Sequence, residues 1–315
     1  LNFVLPGGSI SRFFYAAEPG LEEKRMDGRV LKKSDIAALL GPRRRESNKG
    51  DNGHGLLLAG SGDMPGAACM AAAAALRGGI GTLKAVCPMP AVAGLRALPE
   101  AMLAPLSGEG WAACTEAFLA PYLKDATCIA IGPGMGRVAE TDAALQLVLG
   151  AGKPTVVDAD GLFALARSAK AREALHERVV LTPHFGEMAR LCGASIPEVR
   201  ENQEALARQS AARWGCTVLL KGARSVIAAP DGRFAWNETG NPGLAKGGSG
   251  DVLCGIALAM LGQKLPPFEA ACAASYLLGA SADAALSILR ERMLMARDVT
   301  EMIGLTLENS VYQPK

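Results

Sequence analysis

Aromatic residues make up only 5% of this 315-residue chain, although half of its residues are hydrophobic. A core poor in large rings must be filled by alanine, leucine and valine, which suits helices packed closely on a sheet. Charge imbalance is lacking too: 33 Lys and Arg against 31 Asp and Glu leave a formal net charge of +2. Arg43-Arg44-Arg45 is the single basic triplet and reads as a solvated loop, so no nucleic-acid partner is expected. No apolar run approaches a bilayer span; Ala67–Leu76 is too short and too rich in alanine, so no membrane partner is expected either. The eight cysteines are scattered, with no Cys-x-x-Cys pair and no neighbouring set of histidines. A zinc centre and a disulfide frame are both excluded, and the cysteines read as reduced, buried small hydrophobes of a cytoplasmic protein. Two nucleotide motifs are missing as well. Lys246 stands between Ala245 and Gly247, without the Gly-Lys-Ser/Thr ending of a P-loop. Gly60-x-Gly62 is followed by Gly66, one residue too far for the Rossmann fingerprint, which argues against a nicotinamide dehydrogenase.

Glycine is what the chain has in quantity, 37 residues. Six of them fall between Gly240 and Gly255, in the run Gly240-Asn-Pro-Gly-Leu-Ala-Lys-Gly-Gly-Ser-Gly-Asp251, which leads into an apolar helical pattern over Val252–Leu261. A glycine-rich turn opening a helix leaves backbone N–H groups unpaired and aimed outward, and the helix dipole adds positive potential. The N–H groups of Gly247, Gly248, Ser249 and Gly250 are therefore a candidate anion hole, with phosphate as its natural guest. An acid at the mouth of such a hole repels that guest. Asp251 reads better as a chemical participant, a general base beside a transferring phosphoryl group. Taken alone, Gly-Ser-Gly-Asp is also an ordinary helix cap.

Along the chain, strand, glycine-rich turn and helix repeat from residue 55 onward. Strands are expected at Gly55–Ala59, Thr82–Cys87, Thr127–Ile131, Pro154–Val157, Val179–Leu181 and Thr217–Leu220. Arg224–Ala228 and Arg233–Trp236 flank Pro230-Asp-Gly232 as a hairpin. Helices are expected over Gly66–Arg77, Thr115–Leu123, Ala139–Leu149 and Glu198–Arg213, then over 250–263, 267–290 and 296–307. Continuous apolar strands alternating with helices imply a parallel sheet covered on both faces, with ligands bound beyond the strands' carboxyl ends. Those ends carry Gly60-Ser-Gly62, Gly132-Pro-Gly134, Asp158-Ala-Asp160, Thr182-Pro-His184 and Lys221-Gly222. Residues 1–25 show neither period nor signal-peptide pattern and read as an extension of uncertain origin, leaving 26–315 as one domain.

In this order the segments resemble the ADP/ATP-dependent NAD(P)H-hydrate dehydratases of the ribokinase-like superfamily. The resemblance rests on Lys49-Gly50-Asp51-Asn52-Gly53, Gly60-Ser61, Met64-Pro-Gly-Ala67, Gly132-Pro-Gly-Met-Gly136 and Asp158-Ala-Asp160. It continues through Leu181-Thr-Pro-His-Phe-Gly-Glu187, Leu220-Lys-Gly222 and the Gly240–Gly255 run, covering about residues 30–310. It implies a three-layer α/β/α sandwich with a mostly parallel central sheet. It also implies a lyase in metabolite repair, which uses ADP or ATP with Mg²⁺ to return the S-epimer of hydrated NADH or NADPH (NADHX, NADPHX) to the working cofactor. The ring hydroxyl would be phosphorylated and phosphate would then leave, with Asp251 as base. Ala67, Gly134, His184 and Asp251 match hydrate-binding positions of the family. Lys221, Gly222, Ala223, Arg224 and Ser225, with Gly250, match its adenine-nucleotide contacts. A homotetramer is the assembly the resemblance implies, ADP is the nucleotide expected of a free-standing chain, and no counterpart of the family's fused N-terminal epimerase is expected.

Without the resemblance, plainer readings stand. His184 can cap the next helix, Lys221 can be a solvated strand-end lysine, and Ala67 and Gly134 can be packing residues. Asp158 and Asp160 can bind a metal or cap the following helix, so the metal ligands stay unassigned. The chain departs from the family pattern at Lys246 and Ser249, where Thr is usual, at Phe185, where Pro is common, and at Phe163, where Asn is frequent. A ribokinase-like kinase of a vitamin-precursor alcohol, releasing a stable phosphorylated product, and a non-catalytic nucleotide sensor are the alternatives.

Overall fold

The computed structural model describes residues 28–311, residue 109 excepted, and the expected extension over 1–25 lies outside them. Its strands are β1 (Arg29–Val30), β2 (His54–Leu58), β3 (Thr82–Pro88), β4 (Ala101–Leu106) and β5 (Cys128–Ile131). They continue with β6 (Thr155–Val157), β7 (Val179–Leu181), β8 (Thr217–Leu220), β9 (Ser225–Ala228) and β10 (Phe234–Asn237). All ten join one sheet in the order β1-β10-β9-β8-β7-β6-β5-β2-β3-β4. From β4 across to β8 every neighbour is parallel; β9 alone runs against both of its neighbours. The chain steps outward from β2 through β3 and β4, then returns to lay β5 on the other side of β2. Strand order therefore reverses between β2 and β5, the kind of place where an open parallel sheet leaves a crevice for ligands.

Register sets the site. Leu58 pairs with Ile131, Ile131 with Val157, Val157 with Leu181, and Leu181 with Val218. Five strands thus come level at one row, and the loops that leave their carboxyl ends all emerge at the same edge of the sheet.

Side chains alternate between two apolar faces, as the pleat requires. Leu57, Ala130, Val156, Val180 and Leu219 pack toward the helices Pro65–Arg77, Ser249–Gly262 and Pro267–Ala285. Leu58, Ile129, Ile131, Val157 and Leu181 pack on the opposite side, with helices Ala139–Gly150 and Asp160–Arg167. The scarcity of aromatics has a structural counterpart in the first face. Ala71, Ala74 and Ala75 are fully buried, and a Cβ placed on Gly255 would lie 2.1 Å from the carbonyl oxygen of Ala71. Two helices at that separation leave no room for larger side chains. Among the described residues no helix is long and apolar enough to cross a membrane.

The three-layer α/β/α sandwich is as expected, and differences are local. The helix expected over Glu198–Arg213 is two, Ile196–Glu201 and Gln203–Trp214. Asn202 breaks it: its side-chain amide donates to Glu198 O at 2.9 Å and competes with the backbone ladder. The helix expected to run to 290 ends at Ala285. Strand β4 and helix Lys33–Leu40 were not expected; β4 is an edge strand carrying Pro105 and showing no clean alternation.

Candidate active site

Helix Ser249–Gly262 begins at the sheet's functional edge with Gly248 as its N-cap, at φ 97°. A Cβ there would meet Met70 Sδ at 2.4 Å and Ala296 Cβ at 2.9 Å, so only glycine fits. No side chain caps this helix, so its first-turn N–H groups have no side-chain acceptor.

Beneath that turn lies an ion pair. Lys221 Nζ, just past β8, donates to Asp158 Oδ1, just past β6, at 2.7 Å, and Thr182 Oγ1 donates to the same oxygen at 2.8 Å. Glu187 Oε2 lies 3.9 Å from the ammonium. Asp158 is 2% exposed and Lys221 20%, so Lys221 is not a solvated surface lysine. Burial alone would push its pKa down, but the charges of Asp158 and Glu187 prevail and hold it above its ordinary value. Gly250 sits directly over the pair: a Cβ on it would be 3.5 Å from Lys221 Nζ and 3.6 Å from Asp158 Oδ2.

Asp251 follows in the first turn of the same helix. Burial, and next the charge of Asp158, push its carboxyl up to about 7, against the opposing pull of Lys221. A carboxyl poised there can take a proton at neutral pH and give it up again. Cys254, one turn further on, is buried beside it, and desolvation raises its thiol far enough to make it inert.

His184 does cap the helix Phe185–Cys192. Its Nδ1 accepts from Gly186 N at 2.9 Å and from Glu187 N at 3.3 Å, while Glu187 Oε2 accepts from His184 N at 2.8 Å. This is a capping box with histidine in the usual Ser/Thr role. The cap also fixes the ring chemistry. With Nδ1 accepting, the neutral imidazole carries its proton on Nε2, 3.5 Å from Glu187 Oε1. Burial and the Lys221 charge lower its pKa and favour that neutral form. Glu187 itself is pushed up to about 7 by burial, with Lys221 opposing.

Ala67 and Gly134 meet across the β2 and β5 ends. Gly134 adopts φ 62°, and a Cβ on it would lie 2.7 Å from Ala67 Cβ. The second acid of the Asp158-Ala-Asp160 segment holds this loop, since Gly136 N donates to Asp160 Oδ2 at 2.8 Å. Neither acid caps the next helix through its side chain. The turn between them is strained: Ala159 sits at φ 47°, ψ −117°, a conformation that persists where the surrounding structure over-determines it.

A cavity of about 480 Å³ opens beside these groups, with His184, Lys221, Gly222, Ser225, Gly247 and Gly250 among its walls, whereas Asp251, Ala67 and Gly134 do not line it. Ser249 and Lys246 line it as well. Ala223 and Arg224 do not: Arg224 pairs with Glu238 at 2.7 Å and lies 4.2 Å from the Trp236 ring, out on the hairpin. The Lys246 ammonium donates to Arg292 O at 2.7 Å, tying the glycine run to the segment before helix Ala296–Val311. Residue reasoning missed Glu187, Asn237, Thr239 and Ser275, which lie at or near this cavity. The spacing of His184 and Glu187, that of a capping box, was the one signal available. A wider cleft of about 760 Å³, lined by Gln203, Arg208 and Trp236, shares no wall residue with this cavity.

The profile of the NAD(P)H-hydrate dehydratases matches residues 55–303. The chain belongs to this enzyme family. It is 37% identical, over 85% of its length and 94% of the relative's, to the ADP-dependent (S)-NAD(P)H-hydrate dehydratase of Bacillus subtilis. It is also 38% identical over 97% of its length to the bifunctional NAD(P)H-hydrate repair enzyme of Moorella thermoacetica, of which it spans 60%. The chain spans about half to three fifths of the bifunctional relatives it matches. A solved structure of the B. subtilis ADP/ATP-dependent NAD(P)H-hydrate dehydratase, co-crystallised with ATP and Mg²⁺, superposes with a TM-score of 0.75 at 33% identity, covering 89% of this chain and 97% of that one. A ribokinase-like superfamily protein of Enterococcus faecalis superposes with a TM-score of 0.79 at 25% identity, covering 90% and 96%. The fold is ribokinase-like.

Proposed function

We propose that this chain dehydrates the S-epimer of hydrated NADH or NADPH at the expense of an adenine nucleotide, ADP in the first place. One observation carries the reading: a carboxyl with its pKa near 7, Asp251, stands at the open N-terminus of a helix, above the Asp158–Lys221 pair. In this reading Asp251 takes the proton of the ring hydroxyl as its oxygen attacks the terminal phosphoryl group. The bond from that phosphorus to the AMP oxygen breaks, and AMP leaves. The N–H groups of Gly247–Gly250 hold the moving phosphoryl oxygens. The ring nitrogen's lone pair then expels the phosphate, and loss of the neighbouring ring proton restores the double bond. His184 offers its Nε2–H to the hydrate, and Ala67 against Gly134 leaves the ring a wall without bulky side chains.

The residues fit Mg²⁺ brought in with the nucleotide. Asp158 Oδ1 is engaged by Lys221 and Thr182, whereas Oδ2 lies toward Gly250 and the phosphate hole. Among the described residues no three His, Cys, Asp or Glu side chains form a cage, in keeping with a cation held by phosphates, water and one or two carboxylates. Asp158 would hold it, and it would offset the phosphates' negative charge.

Incubation of the protein with NADH hydrate, ADP and Mg²⁺ tests the reading. The expected result is recovered near-ultraviolet absorbance with one AMP and one phosphate per NADH. No recovery with either ADP or ATP would overturn it, and a phosphorylated product that persists would show a kinase instead.

A further inference from the structure

Phe163 is one of the departures from the family pattern that the reaction chemistry does not use. Its ring gathers three guanidinium groups: Arg137 at 4.8 Å, Arg167 at 4.9 Å and Arg190 at 5.0 Å from the ring centroid. Three like charges around one ring repel, and two of them are offset by acids. Arg167 grips both oxygens of Asp142 at 2.7 and 2.8 Å, and Arg137 Nε lies 3.4 Å from Asp160 Oδ1. Arg190 has no carboxylate within 4.0 Å among the described residues, and it is exposed. The cluster therefore holds one cation without a counter-ion, preorganised on an aromatic platform and open to solvent.

Its place is as telling as its charge. Arg137 directly follows the Gly132–Gly136 loop that meets Ala67, and Asp160, which it contacts, holds that loop. Arg190 sits on the helix that His184 caps, six residues on, about 9 Å of helix rise. Phe163 and Arg167 stand on the helix that begins at Asp160. The cationic cluster thus borders the hydrate side of the site, away from the Lys221–Ser225 side assigned to the nucleotide.

A pyridine dinucleotide carries its pyrophosphate one ribose away from the nicotinamide ring, and NADPH adds a 2′-phosphate. We propose that Arg190 and Arg137, splayed on Phe163, seat a phosphate group of the dinucleotide substrate. The proposal rests on the dehydration reading for the identity of that substrate. Arginine suits the task, since its planar fork can bind phosphate while one face stays on an aromatic ring. Asparagine in place of Phe163 would remove the platform and leave the guanidinium groups to their own rotamers.

Titration of the wild-type chain, Arg190→Ala, Arg190→Lys and, as a control, Arg208→Ala with NADH, NADPH and ADP tests the proposal. Arg208 stacks on Phe234 at 4.5 Å, remote from the site, and reports the effect of losing any one surface cation. Arg190→Ala should weaken dinucleotide binding about tenfold or more, as loss of a charge-assisted hydrogen bond does. Arg190→Lys should recover only part of it, and ADP affinity should stay within about twofold. Equal loss for NADH and NADPH places the pyrophosphate there; loss for NADPH alone places the 2′-phosphate. Unchanged dinucleotide affinity, equal weakening of ADP, an equal effect of Arg208→Ala, or no binding of either dinucleotide by the wild-type chain would each overturn the proposal. A wild-type chain that binds dinucleotide yet leaves the hydrate unchanged would overturn the dehydration reading alone.

Discussion

Lys221 Nζ donates a 2.7 Å hydrogen bond to Asp158 Oδ1 directly below Gly250, the residue before Asp251. One pair therefore sets the floor of the proposed phosphate hole and the electrostatic surroundings of the proposed base. Asp158 pushes the Asp251 carboxyl up and Lys221 pulls it down.

Replacing Lys221 by Met leaves Asp158 buried with only Thr182 as a donor. Loss of one partner of a buried pair costs about 3 kcal/mol, to be read by denaturant unfolding at pH 7. The double variant Lys221→Met with Asp158→Asn should regain more than half of that. Equal stabilities of wild type and Lys221→Met would show that the pair contributes nothing.

Asp251 gives a pH-dependent prediction of definite sign. Its carboxyl titrates at about 7 in the folded chain against an ordinary 3.8. Folding thus favours the protonated form, and this contribution is intact below pH 4 and lost as pH rises from about 4 to 7. Asp251→Asn, neutral throughout, should match wild-type stability near pH 4 and exceed it above pH 7. A difference of about 2 kcal/mol is expected once partial solvent contact is allowed for. A constant difference across this range would contradict the raised pKa.

His184 combines a cap and a donor, and the two can be separated. Asn at 184 keeps an acceptor for Gly186 N and Glu187 N but has no Nε2–H. His184→Ala should cost about 1 kcal/mol of stability and raise KM for the hydrate, whereas His184→Asn should spare stability and still raise KM. Thermal melts and steady-state kinetics read the two effects. Wild-type KM in both variants would leave His184 as a cap alone.

Gly248 tests the hole itself. Ala at this position must adopt φ near 97° and press on Met70 and Ala296. It should cost about 1–2 kcal/mol and weaken nucleotide binding. Unchanged ADP affinity would show that this turn does not hold phosphate.

The sheet was legible in the sequence because its strands are buried on both faces. Continuous apolar runs such as Cys128–Ile131 and Thr217–Leu220 leave little choice of element. Strand β4, on the edge, lacks that signature and went unread. The strand-end residues were legible as a set because polar and glycine groups interrupt each apolar run at the same phase. What the sequence could not show was pairing at a distance. That Lys221 would reach Asp158 depends on the level register of β6, β7 and β8, and the gathering of Arg137, Arg167 and Arg190 on Phe163 joins two helices and a loop. Conversely Ala223 and Arg224, adjacent in sequence to cavity residues, turn outward onto the hairpin, as neighbours in an extended loop can.

The turnover of Asp251→Asn with NADH hydrate, ADP and Mg²⁺, measured beside its ADP affinity, tests the central claim most directly. With Asp251 as the general base, ADP affinity should stay within about twofold while kcat falls about a hundredfold or more. An Asp251→Asn protein that restores NADH at close to the wild-type rate would contradict the account and reduce Asp251 to a residue of the helix's first turn.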